Sequence, residues 1–133
     1  MKVFLKFTLA LTVLVSACTQ DKSDPPTIVN LDLVQDSILK EDGAILQLTY
    51  AISDDNGLDK FRITILDDFP DARFALAPWF FEEDYDASGT NLSDTITINL
   101  PYPDLEVGQY KITFTVADID QNEKSKDKTF FIY

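Results

Sequence analysis

The chain has 133 residues but no histidine, one cysteine, one tryptophan and four glycines. Without histidine there is no imidazole base, no histidine metal ligand and no side chain that titrates near neutrality unless strongly perturbed. Serine and cysteine triads therefore lack their base, and zinc centres lack their ligands. One cysteine cannot close an internal disulfide. The few glycines form no phosphate-cradling loop. Basic residues are also scarce: 11 Lys and Arg face 23 Asp and Glu, a formal charge of −12. So acidic a chain is a poor partner for nucleic acid or anionic headgroups. Paired carboxylates of the glycosidase kind are not excluded by count, but 23 acids supply so many pairs that none is informative. Exposed solubilising acids explain them. The composition reads against an enzyme.

What is present begins with an address. Lys2 and Lys6 give a basic start, Phe7 to Val15 is predominantly apolar, and Ser16-Ala17 are small. This is the pattern of a secretory signal, too short for the ~20 residues of a spanning helix. Cys18 follows at once, and "VSAC" resembles the bacterial lipobox. That resemblance implies cleavage before Cys18, lipidation of its thiol and acylation of the new amino group. Two or three acyl chains anchor stably where one is marginal. Losing residues 1–17 removes two lysines and no acids, which takes the charge from −12 to −14. The lipid, not electrostatics, is then what holds the chain at a membrane. "TQDKSDPP" (residues 19–26) reads as a polar linker with a stiff finish. Its acid after the cysteine resembles surface-export signals of Bacteroidetes lipoproteins, which points to the outer membrane and cell-surface display, with a periplasm-facing orientation as the alternative.

Residues 27–133 suffice for one core. Their periodicity is 2. Leu46, Leu48, Tyr50 and Ile52 alternate with polar or small residues, as do Phe61, Ile63 and Ile65, then Ile96, Ile98 and Leu100, then Tyr110, Ile112, Phe114 and Val116. "TIVNLDLVQ" and "KTFFIY" are also strand-like. Six or seven strands separated by turns such as Asp55-Asn56-Gly57 predict an all-β, immunoglobulin-like antiparallel β-sandwich. Gly108 two residues before Tyr110, at the start of the penultimate strand, resembles a tyrosine corner. It predicts a buried ring whose hydroxyl returns to backbone upstream.

"AISDDNGLDKFRITILDDF", Trp79, "DASGTNLSDTITINLP" and "VGQYKITFTVADIDQNEKS" resemble an uncharacterised family of Bacteroidetes lipoproteins, the domain of unknown function 4625. The likeness spans roughly residues 24–133 and implies an immunoglobulin-like fold on a lipid anchor, with no activity attached. It also implies histidine near Leu66 and Asp67, which this chain lacks. Related tandem repeats end in an Asp-x-x-Gly-Asn turn; here Gln121 stands in the glycine's place.

Two places remain for a site. Calcium is the one cofactor candidate. Asp118, Asp120 and Asn122 on one turn and Asp54 and Asp55 on another offer oxygen ligands that a sandwich brings to one end. Against this, Asp and Asn are ordinary turn formers that bond their own backbone. The second place is the connection 67–93, longer than the ~12–15 residues usual for a structureless loop. It is rich in aromatics: Phe69, Phe74, Leu76, Trp79, Phe80, Phe81 and Tyr85. Either it packs as an extra edge strand or flap, or it keeps some of Trp79, Phe80, Phe81 and Tyr85 exposed for a protein or glycan partner. The whole reads as a lipid-anchored binding or assembly module, protein-binding first, with a glycan-recognition accessory or a calcium-stabilised structural domain as alternatives.

Overall fold

The structure is a computed structural model that describes residues 23–69 and 79–133. The signal segment, Cys18, the first part of the linker, Phe74 and Leu76 lie outside the described residues. Among them are eight strands: β1 (Thr27–Leu33), β2 (Ser37–Ile38), β3 (Ile45–Ser53), β4 (Leu58–Asp67), β5 (Phe81–Asp86), β6 (Asn91–Asn99), β7 (Gly108–Asp118) and β8 (Glu123–Ile132). They form a three-stranded sheet, β1-β3-β6, and a five-stranded sheet, β2-β8-β7-β4-β5. The two face each other as a β-sandwich. One contact departs from antiparallel pairing: β2 runs parallel to the end of β8, Ser37 beside Phe131 and Ile38 beside Ile132. No helix among the described residues is long and apolar enough to cross a membrane.

The two-residue period decides which side chains go inside. β3 buries Leu46, Leu48, Tyr50 and Ile52, β4 buries Phe61, Ile63 and Ile65, and β7 buries Tyr110, Ile112, Phe114 and Val116. Each large side chain so buried contributes about 1.5–3 kcal/mol. Aromatic rings bind the sheets together. Tyr50 lies 4.8 Å from Phe61 and 5.4 Å from Phe114, which places β3 over β4 and β7. Tyr85 of β5 stacks on Phe61 at 4.9 Å with the rings 9° from parallel.

Connection 67–93 contains the extra edge strand: β5 pairs antiparallel with β4, Phe61 beside Tyr85 and Ile65 beside Phe81. Its inward row, Phe81-x-Glu83-x-Tyr85, alternates as a strand should, but the central acid masks the pattern in the sequence.

The tyrosine corner is present. Tyr110 is 1% exposed and its hydroxyl donates to the Glu106 carbonyl at 2.8 Å. Gly108 has φ 150° and faces the Phe69 ring, with which a β-carbon would collide. Phe69 in turn meets Tyr110 edge-on at 5.6 Å.

Burial first, and then the Glu106 and Asp67 charges, push the Tyr110 hydroxyl up to about 12. Burial and the bond to Glu83 push Tyr85 likewise to about 12, and burial followed by the Asp94 charge raises Tyr50. The unfolded chain releases these protons near pH 10. Between pH 10 and 12 it therefore binds fewer protons than the folded chain, and stability falls as pH rises. The expected result is full stability below pH 10 and a declining urea midpoint above it. Phenolate absorbance from the buried tyrosines should appear only with unfolding.

Candidate functional site

The sandwich has two distinct ends. At one, Asp54 N donates to Thr90 O at 2.9 Å and Ile119 N donates to Gly57 O at 3.0 Å, so the β3–β4, β5–β6 and β7–β8 turns adjoin. The start of the described chain is fastened there too: Ser23 Oγ donates to Asp120 Oδ2 at 2.7 Å and accepts from Asn122 Nδ2 at 2.8 Å. Five sequence-selected oxygen donors thus share one end. The two buried ones, Asp54 and Asp118, are engaged by their own turns. Asp54 Oδ1 accepts the Asn56 and Gly57 amides, both at 2.9 Å. Asp118, fully buried, accepts the Asn122 amide at 2.8 Å and its side-chain nitrogen at 2.9 Å. Asp55 and Asp120 are exposed. Among the described residues no three acidic side chains are grouped so as to hold a metal ion. Asp54 and Asp118 thus do what turn-forming acids do, accepting amides of their own turns. Gln121, in the glycine position of the related turn, adopts φ 65°. A polar hollow of about 450 Å³ lies nearby, lined by residues that include Ser23, Thr27 and Asp55.

The opposite end carries most of the exposed large apolar side chains, set among exposed acids such as Asp36, Glu41, Asp68 and Asp104. Of the exposed large apolar side chains, Val34, Leu39, Ile45, Leu66, Phe80, Tyr102, Val107, Phe131 and Tyr133 all lie in the half remote from Ser23; Val29 and Ile119 lie in the near half. The aromatic quartet divides. Trp79 is half-buried, edge-on to Tyr110 at 5.9 Å. Phe81 and Tyr85 also pack against the core. Phe80 alone of the four is exposed, at 57%. Since Ile65 pairs with Phe81, Leu66 and Phe80 are the next residues along on the outer face of the five-stranded sheet. Phe80→Ser should change stability by less than about 0.5 kcal/mol. Phe81→Ser should cost about 1–3 kcal/mol, as large-to-small changes at half-buried sites do. Urea melts of the two variants decide this.

Between the ends, the outer face of the five-stranded sheet carries Lys60, Arg62 and Thr64 beside Asp86, Asp84 and Glu82. Arg62 Nε donates to Asp84 Oδ1 and Nη2 to Oδ2 at 3.1 Å. That pair holds the Asp84 carboxyl below its ordinary value and raises the guanidinium. Sequence reasoning missed the gathering of exposed apolar side chains at the far end, because they come from seven separate segments that only the fold collects.

The architecture, with its inserted edge strand and tyrosine corner, defines an immunoglobulin-like β-sandwich domain. Residues 16–133 match the model of the family described as domain of unknown function (DUF4625), and the chain belongs to that family. No curated protein matches the chain. Among solved structures, a β-glucosidase from Listeria innocua in complex with gluconolactone aligns over 83% of this chain and 16% of its own, with 11% identity and a TM-score of 0.41. The chain thus spans about a sixth of that protein's length.

Proposed function

We propose that the protein is a lipid-anchored module of the bacterial cell envelope that binds a protein partner through the end of the sandwich remote from its tether. The observation that carries this reading is the asymmetric placement of exposed apolar side chains, concentrated away from Ser23. Exposed apolar side chains gathered on one part of a domain's surface favour an interaction site there. The anchor reading rests on "VSAC" and the apolar run before it. Five residue steps separate Cys18 from Ser23, a reach of about 17 Å at full extension. A domain so tethered presents its near end to the bilayer and its far end outward, at the outer membrane of a Bacteroidetes cell. Binding rather than turnover is the activity, since the chain has no histidine and its one cysteine is assigned to lipid.

The test is photo-crosslinking in native cells with the reactive amino acid at Phe80, and at Ile119 as an equally exposed apolar control on the near end. Discrete protein adducts from Phe80 alone support the reading. Equal adducts from both positions, or adducts from Ile119 only, overturn it.

A further inference from the structure

The flank formed by β5 and β6 is open, and its chemistry specifies an occupant. At the opposite flank β1 comes against β8, with Lys128 Nζ 3.2 Å from Asp32 Oδ1. The small sheet has three strands and the large one five, and β3 lies over β4 and β7. β6 therefore falls over β4 and the near side of β5. The next place in the small sheet, beside β6, holds no strand among the described residues.

β6 is equipped to pair there. Asp54 N bonds Thr90 O and Leu100 N bonds Ala44 O, so the even-numbered residues of β6 direct their backbone groups to β3. By the alternation of an antiparallel ladder, Asn91, Ser93, Thr95, Thr97 and Asn99 direct theirs outward. That row has no proline and no register shift, but its central amide is capped: Thr95 N donates to Asp94 Oδ1 at 2.7 Å, a bond an incoming strand must exchange for its own. Charges and prolines along an edge blunt it. The β5 edge is the more heavily blunted, since its outward backbone belongs to Glu82, Asp84 and Asp86. By contrast, β6 carries the single Asp94 cap, which a basic residue on the incoming strand would draw away.

The two edges also match in what they turn inward. β6 places Asp94 between Leu92 and Ile96; β5 places Glu83 between Phe81 and Tyr85. The four apolar side chains are only partly buried and both acids are exposed. An added strand has its own inward residues beside Leu92, Asp94 and Ile96 and opposite the β5 row. Apolar side chains there are covered at alternate positions, and the one beside Asp94 meets two carboxylates.

We infer that this flank accepts an extended strand from a partner protein, one with a basic residue flanked two positions away on each side by apolar ones. A second copy of the chain is disfavoured, because β6 against β6 brings two Asp94 carboxylates onto one face. Like charges so placed destabilise a strand pair. The inference uses a different surface from the apolar far end and stands independently of it.

The probe is the capped peptide Thr-Val-Thr-Lys-Thr-Val-Thr, with a control carrying Glu for Lys. Each is titrated into the isotope-labelled whole chain in detergent micelles. The lysine peptide should shift the Ser93, Thr95 and Thr97 amides saturably, and the glutamate peptide should bind at least fivefold more weakly. Thr95→Pro should abolish binding without unfolding, because that N–H points off the sheet and proline is tolerated at such edge positions. Asp94→Asn should narrow the lysine preference to below twofold. No saturable shift at those amides, equal binding of the two peptides, or unimpaired binding by Thr95→Pro overturns the inference. So does a peptide-free dimer in sedimentation with those amides already protected.

Discussion

Replacing Phe61 by alanine is expected to lower the free energy of unfolding by about 3–5 kcal/mol, the range for truncating a buried phenylalanine. Phe61 is 2% exposed and touches three other rings, Tyr50, Phe114 and Tyr85. The first two rings have further packing of their own. Tyr85 does not share that security, because β5 is an edge strand held by its ladder to β4 and by this stack. The variant should therefore act twice. It should shift the urea midpoint by a large share of the 5–15 kcal/mol that stabilises a typical domain. It should also raise amide exchange in β5 more than in β7, since edge strands open locally at lower free energy than central ones. A uniform rise across both strands would show that β5 is held by something other than Phe61.

The second large effect is expected at Asp118. Asp118→Ala removes a fully buried carboxylate that accepts from the Asn122 backbone and side chain. Asn122 is half-buried and its side-chain nitrogen keeps Ser23 Oγ, so the backbone amide is the donor that loses its partner, and a loss of about 1–3 kcal/mol follows. Asp118→Asn keeps the shape and one acceptor and should lose less. The same measurement separates turn chemistry from calcium. With Asp54 and Asp118 bonded to their own turns, millimolar calcium is expected to leave the melting temperature of the unmodified chain where a chelator leaves it. A rise that vanishes in Asp118→Asn would instead assign the turn a metal.

Much of this architecture is legible in the residues. The alternation in "AILQLTYAIS" and "YKITFTVA" predicts β3 and β7 with the correct inward faces, because each strand is half-buried and its period is unbroken. The glycine-tyrosine pair predicts the corner, because few other arrangements require a glycine two residues before a buried ring. β2 escapes: two residues carry no period, and its place is set by a parallel contact with a strand nearly a hundred positions away. β5 is legible only as one of two alternatives, since Glu83 interrupts its inward row and the edge position removes the need for strong propensity. The start of β6 is hidden similarly, with Asp94 at an inward position between Leu92 and Ile96. Those two acids obscure the strands in the sequence and define the open flank in the fold. The adjoining turns follow from the fold class, whereas the engagement of Asp54 and Asp118 by their own amides requires coordinates.

The fastening of Ser23 to the Asp120–Asn122 turn has a mechanical consequence. The chain enters at one end of the sandwich and β1 runs directly from it along β3, antiparallel, from Thr27 beside Ser53 to Leu33 beside Leu48. A load applied between the entering chain and the opposite end acts along the β1 axis. The hydrogen bonds between β1 and β3 then resist in shear, together, instead of parting one after another like a zipper. Ser23 adds a latch ahead of them, the first contact to yield. A domain wired in this way bears tension along its length better than across it.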